Sequence, residues 1–211
     1  MNAAIALSRL RRLGTPVFTT ADGRALFRGT TAGASQTLAA LARHGLVVPL
    51  RRGLWSLDVE VDPLLLPEHL SAPSPSYVSL QTALYRRGVI EQIPSTIYAV
   101  TLGKTKRYHT SVGDYSLHRV APELFGGFEI VAGGVKLATA EKALADVAYL
   151  SGGKSRLFAA LPEIELPAGF SLPEARGWLA RIPSKRHRTL AERWFEQWVR
   201  PHVKARGRRA R

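Results

Sequence analysis

Apolar and polar positions along this chain change period several times, and each change marks an element. Between Thr31 and Leu57 the sequence is TAGASQTLAALARHGLVVPLRRGLWSL. Small polar residues Ser35, Gln36 and Thr37 precede Leu38, Leu41 and Ala42, an apolar stripe at three-to-four spacing that predicts a helix. His44-Gly45 supplies the stop, because glycine takes the positive φ that ends a helix. Leu46-Val47-Val48 and Leu54-Trp55-Ser56-Leu57 are short β-forming runs joined through Pro49, Arg51, Arg52 and Gly53. A helix followed by a hairpin with arginines at its tip reads as the second half of a winged helix-turn-helix, which points to DNA.

Upstream, Ala3 to Leu13 reads as a helix with Ile5, Leu7, Leu10 and Leu13 as its stripe, ended by Gly14. Thr15-Pro16-Val17-Phe18 is extended, since a residue before proline is pushed out of helical space. Thr19 or Thr20 can cap a second helix over Ala21 to Phe27, and Arg28-Gly29-Thr30 turns into the next. The order completes a winged helix-turn-helix over residues 1–57. Residues 58–75 are rich in proline and alternating acids and read as a linker.

A second unit, 76–200, opens with Tyr77-Val78-Ser79-Leu80 and a helix to about Arg87, stopped at Gly88. Strand-like runs follow at Thr96–Leu102, Lys106–Ser111, Tyr115–Val120, Phe128–Val131 and Val135–Ala138. Thr139 caps a helix over Ala140–Leu150 with Glu141 in its first turn. Helices are expected over 154–161, from the capping pattern Ser171-Leu172-Pro173-Glu174 to Leu179, and from Ser184 to about Val199. The last carries Leu190, Trp194 and Trp198 on one face. From Pro201 a basic tail, 201–211, is expected to be disordered. The fold class expected is α+β: a winged helix-turn-helix followed by a mixed α/β domain ending in helices.

Charge sharpens this picture. Residues 1–57 hold eight Lys/Arg against one acid, 58–150 eight against ten, and 151–211 fourteen against five, within a total of +14. Two basic ends around a near-neutral middle suggest polyanion contact at both ends. A GC-rich genome accounts for arginine over lysine but not for the segregation. No apolar run reaches membrane-spanning length, and cysteine is absent, which removes disulfides and thiolate chemistry. A cytoplasmic, nucleoid-associated protein without a membrane partner is expected.

On the helix over 31–43, Ser35, Gln36, Ala39 and Arg43 lie off the apolar stripe, and a groove-entering helix needs short polar residues near its start. Gln36 can pair bidentately with adenine. Arg28, Arg43, Arg51 and Arg52 suit phosphates or a narrow minor groove, and Thr31 lies at the helix start. Lys185, Arg186 and Arg188, in the first turn of the last helix, stand where the dipole disfavours cations, and form a possible second basic surface.

Catalysis finds no constellation. The six histidines show no HxxxH or HExxH spacing, GxSxG is missing, and Ser151-Gly-Gly-Lys154-Ser155 lacks the first glycine of a phosphate-binding loop. Glu141 and Asp146 are explained by capping and solvent exposure. No catalytic residue, metal or cofactor is expected.

The run Tyr77-Val-Ser-Leu-Gln-Thr-Ala-Leu-Tyr85 with Gly88-Val-Ile, Pro94 and the strand Ile97-Tyr98-Ala-Val-Thr101 resembles AbiEi-family antitoxins of type IV toxin–antitoxin systems. So does Leu137-Ala-Thr-Ala-Glu141-Lys142-Ala-Leu-Ala-Asp146-Val-Ala-Tyr149-Leu150, except that Thr139-Ala140 stands where a proline often precedes the Glu-Lys pair. The Arg51-Arg52-Gly-Leu-Trp55 segment also fits. The resemblance covers most of residues 1–150. It implies an autorepressor that binds inverted repeats in promoter DNA through the winged helix, with Ser35, Gln36, Arg43, Arg51 and Arg52 at its DNA-reading helix and wing. It also implies that the C-terminal domain counteracts an AbiEii-like nucleotidyltransferase toxin without a stable complex. The alternative is an interaction protein that neutralises its toxin by direct contact, with DNA binding secondary.

Overall fold

The computed structural model describes residues 2–152, 163–199 and 202. The helix expected over 154–161 and, His202 apart, the basic tail lie outside the described residues.

The first unit is built from α1 (Ala3–Arg11), β1 (Val17–Thr19), α2 (Thr20–Phe27), α3 (Thr31–Arg43), β2 (Val48–Arg51) and β3 (Leu54–Ser56). Side-chain caps set the helix starts. Asn2 Oδ1 accepts from the Ala4 amide, and Thr30 Oγ1 accepts from the Gly33 amide at 3.1 Å. At α2 a full capping box forms: Thr19 Oγ1 accepts from the Asp22 amide while Asp22 Oδ2 accepts from the Thr19 amide. The strands form a three-stranded antiparallel sheet in the order β1-β3-β2. Ala6, Leu10, Phe18, Leu38, Leu41 and Val47 fill the space between helices and sheet. The buried face of α1 is therefore Ala6 and Leu10, one helical turn apart, whereas Ile5 is half exposed. Of the expected stripe, Leu10 is buried and Leu7 and Leu13 are half-buried, so only Ile5 falls outside it, with Ala6 in its place.

Residues 58–75 are partly regular structure. A 3-10 turn over Pro63–Leu65 leads into α4 (Leu66–Ser71), and Val61, Leu66 and Leu70 are buried. They pack with Val17, Leu50 and Leu54 on one side and Ala99, Tyr115 and Leu117 on the other. Apolar packing is thus continuous across the segment that the composition reads as a linker.

The second unit contains a six-stranded mixed sheet ordered β6-β7-β5-β4-β9-β8. Its strands are β4 (Ser76–Val78), β5 (Thr96–Thr101), β6 (Lys106–Thr110), β7 (Gly113–Arg119), β8 (Phe128–Ile130) and β9 (Lys136–Ala138). β5 runs parallel to β7 and β4 parallel to β9; the other pairings are antiparallel. α5 (Leu80–Arg86), α6 (Ala140–Ser151), α7 (Leu172–Ala180) and α8 (Lys185–Trp198) contribute to one large apolar cluster with β4, β5 and β9. The fold is α+β.

Two local expectations change. The buried stripe of α8 is Ala191, Trp194 and Phe195, with Leu190 exposed at its rim. At α7 the Ser171 hydroxyl accepts from the Glu174 amide as expected, but the Ser171 amide donates to Glu141 Oε1 at 2.7 Å. Glu141 of α6 thus ties the start of α7 to the helical layer.

Candidate nucleic-acid interface

α3 buries Ala34, Leu38 and Leu41 and exposes Thr31, Ser35, Gln36, Ala39 and Arg43. Gln36 lies two residues from both Ala34 and Leu38 and so projects from the side of the helix opposite them, while Ser35 is exposed on the flank of the buried face. Arg28 caps α2 in a left-handed conformation (φ 55) and is exposed in the turn before α3.

The hairpin of β2 and β3 closes over Arg52-Gly53, with Gly53 at φ 81, a conformation open to glycine at no steric cost. Gly53 O accepts from the Thr20 amide at 3.0 Å, and Trp55 Nε1 donates to Thr20 Oγ1 at 3.0 Å. These two bonds fasten the hairpin tip to the N-terminus of α2. Arg52 is exposed. Arg51 is half-buried, with its guanidinium 4.9 Å from the centre of the Tyr108 ring on β6. The β2–β3 hairpin is also tied to the second unit through Ser111, whose amide donates to Leu50 O at 2.9 Å and whose hydroxyl donates to Pro49 O at 3.1 Å. Of the two tip arginines, Arg52 extends into solvent, and Arg51 rests on an aromatic platform supplied from a distant part of the chain.

The possible second basic surface at the start of α8 divides in two. Lys185 and Arg186 are exposed. Arg188 is half-buried and donates from Nε (3.0 Å) and Nη2 (2.7 Å) to Ile182 O, so it braces the turn between α7 and α8. His187 stacks on the Tyr149 ring at 4.4 Å and lies 2.6 Å from Tyr149 O. The side chains at 187 and 188, where the dipole disfavours cations, are thus held by local structure.

Sequence reasoning assigns Glu141 and Asp146 to solvent, and the structure corrects this: both are buried. Asp146 Oδ2 accepts from Tyr77 Oη at 3.0 Å and Ser79 Oγ at 2.7 Å, and its Oδ1 accepts from Lys142 Nζ. Lys142 is completely buried, 4.9 Å from the Trp178 ring. Burial pushes the Lys142 ammonium below its ordinary value, and the Asp146 carboxylate pulls it back up. The Tyr77 hydroxyl is pushed up, first by burial and then by the Asp146 charge. Lys142 and Asp146 are four apart on α6 and so share a helical face; this spacing is visible in the sequence, but the partners at 77 and 79 are not. With three donors on its carboxylate, the cluster locks α6 onto β4.

Ser116 Oγ lies 2.8 Å from His118 Nε2 on β7, and burial, followed by the Arg107 charge, lowers His118 to about 4. Among the described residues, no three His, Asp or Glu side chains converge as metal ligands, and no helix is long and apolar enough to cross a membrane. No protein-family model matches the chain, and no curated protein sequence matches it.

Proposed function

We propose that this protein binds duplex DNA through a winged helix-turn-helix formed by α1 to α3 and the three-stranded sheet, and represses transcription from its own promoter. The observation that carries this reading is the exposure of Ser35 and Gln36 on a helix whose buried face is anchored by Ala34, Leu38 and Leu41. Exposed Arg28, Arg43 and Arg52 around that helix and hairpin supply cations for phosphates. Base reading falls to Ser35 and Gln36, and positioning to Arg28, Thr31, Arg43, Arg51 and Arg52.

The second half of the proposal is an antitoxin role: residues 76–200 counteract an AbiEii-like nucleotidyltransferase toxin without a stable complex. Its support is the sequence resemblance of residues 77–150 to AbiEi-family antitoxins. The test is a reporter driven by the DNA upstream of the gene, read with and without the protein, alongside growth on co-expression with an AbiEii-like nucleotidyltransferase toxin. Repression lost in Ser35→Ala/Gln36→Ala, with growth rescue intact, is the expected pattern. Unchanged reporter output on expressing the protein would refute the repressor half, and failure of growth rescue the antitoxin half. Co-purification of the toxin at moderate salt would favour neutralisation by direct contact.

A further inference from the structure

The hairpin of β6 and β7 stands against the wing, and its charge is not that of the middle stretch of the chain around it. Residues 58–150 are net acidic by two, yet 102–119 hold Lys104, Lys106, Arg107 and Arg119 against the single acid Asp114. All four cations are exposed. Asp114 is engaged by His109 Nδ1 at 2.7 Å, and none of the ion pairs among the described residues takes any of the four, or Arg51 or Arg52. β6 is the outermost strand of its sheet, with no further strand paired beyond it.

Tyr108 joins this hairpin to the wing. Its ring receives Arg51 at 4.9 Å and Lys106 Nζ at 5.1 Å, so one aromatic ring holds cations from two units separated by more than fifty residues. The Ser111 bonds to Leu50 O and Pro49 O hold the two hairpins in register. Like charges gathered on one ring without a counter-ion repel one another in the free protein. A polyanion relieves that repulsion, and each phosphate neutralised releases counter-ions. An aromatic ring in contact with two cations restrains both long side chains.

We propose that the β6–β7 hairpin is a second DNA-contacting element, which continues the wing and grips the phosphate backbone of duplex flanking the site read by α3. Lys104, Lys106 and Arg107 make the contacts, and Tyr108 is the positioning residue that aligns Lys106 with Arg51. This rests on the DNA-binding reading above. It assigns DNA affinity to a part of the chain that its overall charge marks as neutral.

The test uses the full chain and fluorescence anisotropy on a labelled duplex from the upstream DNA of the gene, over a salt series. Lys104→Ala/Lys106→Ala/Arg107→Ala should bind at least tenfold more weakly at about 0.1 M salt. Its log–log salt slope should be shallower by roughly 0.9 for each phosphate that the variant no longer neutralises. Lys106→Arg should keep the slope, and Tyr108→Phe should keep the affinity that Tyr108→Ala loses. A triple variant with the wild-type slope and affinity would overturn the proposal while leaving DNA binding by the first unit intact. A wild-type protein that binds no duplex would overturn both. A triple variant weakened on single-stranded RNA but unchanged on duplex would reassign the surface and equally overturn the proposal.

Discussion

Asp146→Ala tests the buried polar cluster most sharply. Three donors converge on this carboxylate, and all of them, Tyr77, Ser79 and Lys142, are at most 1 % exposed. Removing the carboxylate leaves Lys142 without its counter-charge and two buried hydroxyls without their acceptor. Breaking a buried ion pair from one side costs about 3–5 kcal/mol. Against a typical domain stability of roughly 5–15 kcal/mol, that is about a fifth or more of the total. The assay is urea denaturation followed by tryptophan fluorescence, with Trp178 beside Lys142 as a local reporter. Lys142→Met added to Asp146→Asn should restore much of what Asp146→Asn loses, because the uncompensated charge is gone. A coupling of about 2 kcal/mol between the two sites is expected. The sign of the pH effect follows from burial. Lys142 lies below its ordinary value of 10.5 in the folded protein, so the unfolded chain holds the extra proton in the interval between. Stability of Asp146→Asn should therefore rise with pH through the alkaline range, more steeply than that of the native protein. A loss under about 1 kcal/mol for Asp146→Ala, or strict additivity of the pair, would refute the reasoning.

Other expectations are more local. Ser35→Ala/Gln36→Ala should cut discrimination between the upstream DNA and a scrambled duplex by about 1–3 kcal/mol for each base that is no longer read, with scrambled-duplex affinity unchanged; a parallel weakening on both duplexes would contradict base reading. Gly127→Ala should destabilise by about 2–4 kcal/mol in the same urea assay. Its φ is +70, and an added Cβ would meet Trp178 at 2.6 Å; a neutral substitution would show that the Trp178 ring moves freely. His118 is held at about 4 against an ordinary 6.5, so the unfolded chain binds the extra proton and stability falls as pH drops through that window. Melting temperatures at about pH 7 and about pH 4.5 should converge in His118→Gln, and an unchanged gap would assign the acid sensitivity elsewhere.

Local signals in this sequence are readable where they are self-sufficient. Thr19, Thr139, Ser171 and Ser184 each cap a helix start from within three residues, so the local sequence locates them; Thr30, read only as part of a turn, also caps α3. β5, β6 and β8 are legible to within about one residue because glycines and turn formers bracket alternating runs. What fails is whatever depends on distant partners. Val61, Leu66 and Leu70 sit among prolines and acids, and only the arrival of Tyr115 and Leu117 from β7 makes them core. Lys142 and Asp146 have the spacing of a surface ion pair, and their burial depends on Tyr77 and Ser79, more than sixty residues earlier. At the candidate interface, the outward face of α3 is legible from its periodicity. The seating of Arg51 on Tyr108 is not, because β2 and β6 meet only in the folded chain.

The central claim is sequence-selective DNA binding by the first unit. The measurement that meets it most directly is a gel-shift titration on the upstream intergenic DNA against scrambled competitor at two salt concentrations. The native protein and Arg51→Ala/Arg52→Ala would be compared. Tight binding that survives competitor, and that the double variant loses along with part of its salt dependence, is the expected result. Weak binding that competitor abolishes, or a double variant indistinguishable from the native protein, would contradict it.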